Sequence, residues 1–565
     1  MSTRQAGVFI RAFPFIVGLF GALVYWGSIA NGFTFDDPHI VVENPLVAGD
    51  GGPARIFLTH YWGGQAEAGT LYRPLTVLTY WVNYRLAGAV PWSYHLVNVA
   101  LHGLVTAVFY LLSRRLAGPA AAAAAALLFA AHPIHTEAVA SIVGRAELLA
   151  ALFVLAAWMW RERPWLASAL FACGMLSKEN AVVLPGLLLV EDLTIGRARG
   201  PSEAPARRYG PFVAALAGYG AVRLTVVGPS LGSPEDPFAA TAALPRILTA
   251  VDVIGRYLRL MAFPTELSAD YSYNQIPLVT SLADARFLTG AAVVLACLAA
   301  ALLTRRRSPA VAAGLLSFLV AVAPVSNVFF GIGVMMAERL TYLPSSGLCL
   351  AAGAALASAV SLTRAGRLRL AAVTGLAAMA PAAVMAVQTW QRCEDWFDNR
   401  TLFEATVRTS PDSALAQVNL GAVYQSLGRL AEAEDRFRRA AAIAPDRPGP
   451  HFNRATVLRA MGRRVEAIAA YREAARLDPA NATVLADLGT ALLAEGMARE
   501  AIVYLERSVL IRPGVAGPAA ALAAALLQVG EPEKAARLAQ QVLEAQPDEP
   551  TARRVLEELA ARGGG

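Results

Sequence analysis

Hydrophobic and polar positions divide the chain near residue 394. Upstream, long apolar runs alternate with short arginine-rich loops; downstream, apolar residues recur at helical spacing among charges. The upstream runs fall at 8–30, 93–112, 118–133, 137–160, 164–177, 181–195, 209–227, 285–304, 309–329, 343–363 and 370–391. At a rise of about 1.5 Å per residue they predict eleven membrane-spanning helices. Ser28-Ile29-Ala30 resembles a cleavage site, so a signal peptide is the alternative for the first run, whose length favours an anchor. Stretches 71–90 and 244–264 mix arginine and aromatic residues with apolar ones and read as amphipathic helices in the outer interface.

The arginines predict orientation. Arg114-Arg115, Arg161 and Arg163, the Arg197–Arg208 loop, Arg305-Arg306-Arg307, and Arg364, Arg367 and Arg369 fall on one side of such a bundle. The positive-inside rule makes that side cytoplasmic, and an odd number of spans puts the segment after residue 391 outside.

Beyond residue 395 a repeat of 34 residues is plain. Pro411, Pro445, Pro479, Pro513 and Pro547 keep this period, as do Gly428, Gly462, Gly496 and Gly530, and Ala433, Ala467, Ala501 and Ala535. This resembles the tetratricopeptide repeat, a helix-turn-helix unit whose small residues let paired helices approach. The fourth unit, 514–547, carries Ala539 where the others carry a larger residue, as expected near a capping end. The fold class expected is all-α: a polytopic membrane domain over 1–394, then a solenoid of about four repeats and a capping helix over 395–565.

Composition agrees with a membrane protein: 56% hydrophobic and 16% charged residues, with a mean hydropathy of +0.46. The net charge of +7 comes from a chain with two lysines, Lys178 and Lys534. The Ala and Arg bias points to a bacterial genome, so the basic balance implies no nucleic-acid partner. The four cysteines lie far apart with no C-x-x-C pair, and no disulfide framework or zinc site follows.

The candidate chemistry gathers on the predicted outer side. Asp36 and Asp37 follow the first run in Gly32-Phe33-Thr34-Phe35-Asp36-Asp37-Pro38. Paired acids there suit a general base, a metal site or a clamp on a sugar hydroxyl, with a solvated turn before Pro38 as the alternative. His132-Pro133-Ile134-His135-Thr136-Glu137 lies between the third and fourth runs; if the following helix is continuous, Glu137, Ser141 and Arg145 share one face, with Glu147 nearby. Lys178-Glu179 lies between the fifth and sixth runs, and Glu338-Arg339 precedes the tenth. Arg339 suits a forked pair with phosphate or with a neighbouring acid. Each of these charges has an internal ion pair as its alternative; their shared side favours a site. Phosphate-loop and Rossmann patterns are absent, which argues against nucleotide-driven chemistry.

These motifs, with Tyr72-Arg73-Pro74-Leu75-Thr76, Trp92-Ser93-Tyr94-His95-Leu96-Val97-Asn98 and Glu338-Arg339-Leu340-Thr341-Tyr342-Leu343-Pro344-Ser345 before the repeats, resemble the transmembrane and tetratricopeptide repeat-containing protein O-mannosyltransferases. The resemblance implies a C-type glycosyltransferase that uses a polyprenyl-phosphate sugar donor and a protein acceptor on the non-cytosolic side. It implies catalytic roles for Asp36 and Asp37; the leaving lipid phosphate calls for a fixed cation, for which Arg339 is the first candidate, with Lys178 and Arg145 behind it. His135, Glu137, Glu147, Glu179 and Glu338 are expected in support. A divalent cation, Mg²⁺ or Mn²⁺, held by Asp36 and Asp37 is left open. Partners expected are the lipid-linked donor, membrane lipid and a protein or peptide bound by the repeats. A bacterial source places the chain in the inner membrane with periplasmic repeats; a eukaryotic one, in the endoplasmic reticulum with luminal repeats. The reading from another class is a non-catalytic membrane scaffold that recruits partners through its repeats.

Overall fold

The computed structural model describes residues 3–49, 51–63, 71–196, 205–229, 238, 241–361 and 367–563. Among these residues helix is the only regular structure, and all eleven predicted spans are helical over most of their length. Six helices are long and apolar enough to cross a membrane; Ala12–Val24, Pro164–Ser177 and Pro309–Val325 are shorter apolar helices. The chain is a multi-pass membrane protein followed by helical repeats. The predicted basic loop at 197–208 lies outside the described residues as far as 204, as does Arg364.

The helical stretch Pro91–Ala131 is two passes. Uninterrupted, it would hold His102 and Ala130 about 42 Å apart. Instead the chain breaks at Gly118, whose φ of +84° is closed to side-chain-bearing residues, and Pro119 follows. His102 Nε2 then lies 3.2 Å from the Ala130 carbonyl, and its ring stacks on Phe129. Around this hairpin pack Thr3–Val24, Arg145–Met159, Tyr342–Ser361 and Arg367–Asp395. Where Pro309–Val322 meets Tyr342–Ser361, a Cβ on Gly314 would stand 2.5 Å from the Gly347 carbonyl, and one on Gly347 2.6 Å from that of Gly314. Small residues bring these backbones together, as packing in lipid favours.

The two predicted interfacial stretches form the helices Pro74–Ala87 and Ala243–Ala262. The helix expected to run on from Glu137 is not continuous. It stops after Thr136–Ala140, Ser141 is extended at ψ 132°, a 3-10 turn covers Ile142–Gly144, and Arg145–Met159 begins anew. The cause is close packing: a Cβ on Gly144 would stand 2.2 Å from the Ala138 carbonyl, so the chain folds back on itself there. Glu137 and Arg145 therefore face different neighbours.

Packing divides the chain into Met1–Ser272 with Ile276–Ser410, and Tyr273–Gln275 with Pro411–Gly565. Composition changes near 394, whereas packing changes after Ser410, because Asn399–Thr409 belongs to the first unit: Phe35 meets Phe403 edge to face and Asn399 Oδ1 accepts from the Phe35 N–H at 2.8 Å. The second unit holds four helix pairs, beginning with Ala414–Ser426 and Leu430–Ile443, and a final helix, Pro550–Gly563. Each pair turns at a glycine of positive φ, where the next residue donates back to the carbonyl five positions earlier, as Arg429 does to Tyr424 at 2.8 Å and Arg463 to Leu458 at 2.9 Å.

Candidate active site

The first loop after Trp26–Ala30 is pinned by Asp37. Its side chain is fully buried. Oδ2 accepts from the Thr34 N–H at 3.1 Å and the Thr34 hydroxyl at 3.4 Å; Oδ1 accepts from the Val143 N–H at 3.0 Å and the Ser141 hydroxyl at 3.4 Å. Burial pushes its carboxyl up to about 7 against the pull of those N–H groups, and Asp36 adds to the rise. Asp36 is only partly buried and lies within electrostatic reach of Arg339. The two acids expected to act alike thus occupy different environments.

The break in the helix after Ala140 makes this clasp possible, since it frees the Val143 N–H. Arg145 holds the break in shape. Its guanidinium, fully buried, donates to Asn98 Oδ1 (2.9 Å), Asn83 Oδ1 (3.1 Å) and the Tyr94 carbonyl (3.0 Å), and packs 4.7 Å from the Tyr80 ring centroid. Asn98 in turn donates to the Ser141 carbonyl at 3.0 Å, and the Tyr80 hydroxyl to that of Ile142 at 3.0 Å. Satisfied by neutral partners and closed to solvent, Arg145 acts here as a post under the first loop.

Arg339 is held differently. Both oxygens of the buried Glu137 accept from it, one from the backbone N–H at 2.8 Å and the other from Nη1. Its side chain keeps 24% exposure, against 1% for Glu137. On the opposite side of the same turn, Glu338 accepts from the Ser268 N–H at 2.5 Å and the Tyr271 hydroxyl at 2.6 Å, while the Tyr257 hydroxyl bonds the Ala337 backbone at 3.0 Å. Glu137 and Glu338 therefore fix where the guanidinium stands.

Lys178 pairs with Glu147, whose second oxygen accepts from Asn180 at 2.9 Å. Next to it Arg73 Nε donates to Glu179 at 2.9 Å and lies over Tyr61 at 5.4 Å. Burial works against charge on Glu179, yet Arg73 outweighs it and holds the carboxyl down to about 2. Lys178 lies within electrostatic reach of both Arg73 and Arg339, and Arg339 within that of Asp36. The sequence-predicted groups Asp36, Arg339, Glu137, Lys178, Glu147 and Glu179 thus come together, whereas Arg145 and Glu338 stand behind them. Arg73 went unremarked as a charge in the sequence; its place in Tyr-Arg-Pro at a helix start was the available signal.

His135 lies in the wall. Burial lowers its pKa well below the usual imidazole range, leaving the ring neutral. Nε2 donates to Ser345 Oγ at 2.8 Å, since that hydroxyl gives its own proton to the Tyr342 carbonyl at 2.6 Å. Among the described residues no three His, Cys, Asp or Glu side chains gather as a metal site would need.

Family models match three regions: dolichyl-phosphate-mannose-protein mannosyltransferase over 73–199, protein O-mannosyl-transferase TMTC (DUF1736) over 228–298, and tetratricopeptide repeats over 412–480, 458–513 and 492–559. The second region supplies Tyr257, Ser268 and Tyr271. Protein O-mannosyl-transferase TMTC3 of Homo sapiens is 27% identical over 78% of this chain and 56% of that one. Human TMTC1 is 31% identical over 74% and 53%, and Tmtc2 of Drosophila melanogaster 36% over 47% and 31%. This chain thus spans about half the length of the curated relatives it matches. The solved tetratricopeptide-repeat protein YrrB is 20% identical over 31% of this chain and 87% of that one at a TM-score of 0.27, so the repeat assignment rests on the 34-residue period and the family models. The matched regions, in the order of the motifs described above, make this chain similar to the transmembrane and tetratricopeptide-repeat proteins named protein O-mannosyl-transferases.

Proposed function

We propose that the chain transfers a sugar, mannose by its relatives' names, from a polyprenyl-phosphate donor to serine or threonine hydroxyls of a protein on the non-cytosolic side of the membrane. One observation carries the reading: Asp36 and Arg339, both partly exposed, lie within electrostatic reach of each other, with the Arg339 guanidinium held by Glu137. In the step proposed, the acceptor oxygen attacks sugar C1 as the bond from C1 to the lipid phosphate breaks. The hydroxyl proton passes to the Asp36 carboxylate, and the bonding pair leaves with the phosphate beside Arg339. A single displacement inverts C1. Asp37 positions Asp36, Glu137 positions Arg339, and Lys178 and Arg73 extend the positive field toward the phosphate. The repeats hold the acceptor.

The first-loop acids do not fit a Mg²⁺ or Mn²⁺ site in this arrangement, because both Asp37 oxygens are taken by the Thr34, Ser141 and Val143 donors.

Transfer from labelled polyprenyl-phosphate mannose to protein, in membranes carrying native chain or Asp36→Asn at matched expression, tests the reading. Loss of a general base lowers the rate by about 10²–10⁴-fold. An unchanged rate removes Asp36 from the chemistry, and no transfer by the native chain from mannose, glucose or galactose donors leaves the scaffold reading.

A further inference from the structure

A cleft of about 390 Å³ opens at the other end of the bundle from the acids. Tyr342–Ser361, 20 residues long, begins next to Arg339 and ends in this cleft. That length is about 30 Å, the thickness of the hydrocarbon core. Its walls carry small residues, Ala117, Ala121, Ala310, Ala354 and Ala357, whose short side chains leave the space between the helices open.

Its lining joins two chemistries. Leu116 and Ile195, largely buried in the core of the bundle, give it an apolar wall, while Arg307, Ser308, Ser358 and Ser361 supply a cation and three hydroxyls. Ser308 Oγ and Ser358 Oγ are 3.2 Å apart; Ser358 and Ser361 otherwise donate only to carbonyls of their own helix, at 2.8 and 2.6 Å. Arg307 is exposed, and among the described residues no carboxylate pairs with it. Three arginines at this end are engaged: Arg115 and Arg161 bond Glu191 at 2.9 and 2.5 Å, and Arg161 and Arg208 bond Asp192. Three cations there share two carboxylates, so the potential around the cleft is positive.

We propose that this cleft binds an acidic phospholipid, with the phosphate on Arg307 and the serine hydroxyls and the acyl chains along Leu116 and Ile195. Charge complementarity selects an anion, and the apolar walls running into the spans select one with lipid tails. The volume lies within the ~300–1,000 Å³ range of ligand pockets. The site is independent of the transfer reaction and lies on the opposite membrane face from it.

The test uses purified full-length chain in detergent, titrated with phosphatidylglycerol, phosphatidylcholine or inorganic phosphate while thermal midpoint and bound lipid by native mass spectrometry are read. Phosphatidylglycerol is expected to raise the midpoint and be retained; the other two are not. Arg307→Gln should weaken apparent phosphatidylglycerol affinity about fivefold, the worth of one basic residue at a membrane surface. Arg305→Gln, which removes an equal charge outside the cleft, should leave it unchanged. Ala357→Leu, which fills the cleft without altering charge, should weaken it too. Equal stabilisation by phosphatidylcholine or by inorganic phosphate, or equal loss in Arg305→Gln and Arg307→Gln, overturns the proposal.

Discussion

At the scale of single residues, adjacent acids differ because one is buried among donors. Asp37, raised to about 7, binds a proton in the folded chain that the unfolded chain releases near pH 4. Its contribution to stability is therefore fully present below pH 4 and is lost as pH rises through 7. Asp37→Asn keeps an acceptor but turns an N–H group toward the Val143 or Thr34 N–H, so it destabilises throughout. The expected signature is that the gap in thermal midpoint between native and variant narrows from pH 5 to pH 8. An unchanged gap would mean that Asp37 is ionised across that range. Arg339 is tested by Arg339→Lys, which keeps the charge but loses the planar fork. Transfer should fall about 10²-fold, mostly in kcat, as for loss of a preorganised donor. A rise in KM alone would place Arg339 in ground-state binding.

At the scale of elements, the site depends on a helix that fails to continue. The 3-10 turn Ile142–Gly144 delivers the Val143 N–H to Asp37, and Gly144 permits it by touching the Ala138 backbone. Gly144→Ala should cost about 1–3 kcal/mol, the usual range for overpacking, and reduce transfer because Asp37 loses a donor. Gly375→Ala is the matched control: a Cβ there meets nothing within 4 Å, and the change should be neutral or stabilise its helix by up to about 1 kcal/mol. Thermal midpoints and transfer rates of the pair separate the two effects.

At the scale of the molecule, the membrane unit closes only after Ser410. Chains ending at residue 394 lose Trp396, Leu402 and Phe403, all buried, together with the Asn399 bond to the first loop. Full burial of one Leu or Phe is worth about 1.5–3 kcal/mol. A chain cut after 410 should therefore melt well above one cut after 394, read by thermal unfolding in detergent. Equal midpoints would place the true boundary at the earlier position.

The sequence by itself determined the helices, the spans and the repeat. These follow from local rules: apolar length sets a membrane crossing, and a 34-residue period of Pro, Gly and Ala sets a helix pair whatever surrounds it. It also marked most of the charged site, since carboxylates, arginines and a rare lysine in an apolar chain stand out wherever they fall. Only the tertiary structure decided what each charge does. Asp36 and Asp37 are alike in sequence, and the burial of Asp37 against a donor from Val143, 106 positions away, separates them. Arg145 and Arg339 both read as phosphate ligands, Arg339 ahead, until Asn83 and Asn98 enclose one and Glu137 presents the other. The end of the membrane unit was hidden for the same reason. Asn399–Thr409 has the charged composition of the repeats, and its packing against Phe35, Ala140 and Ala269 assigns it to the first unit. Desolvation and long-range pairing depend on which residues meet across the fold, and no local pattern encodes that.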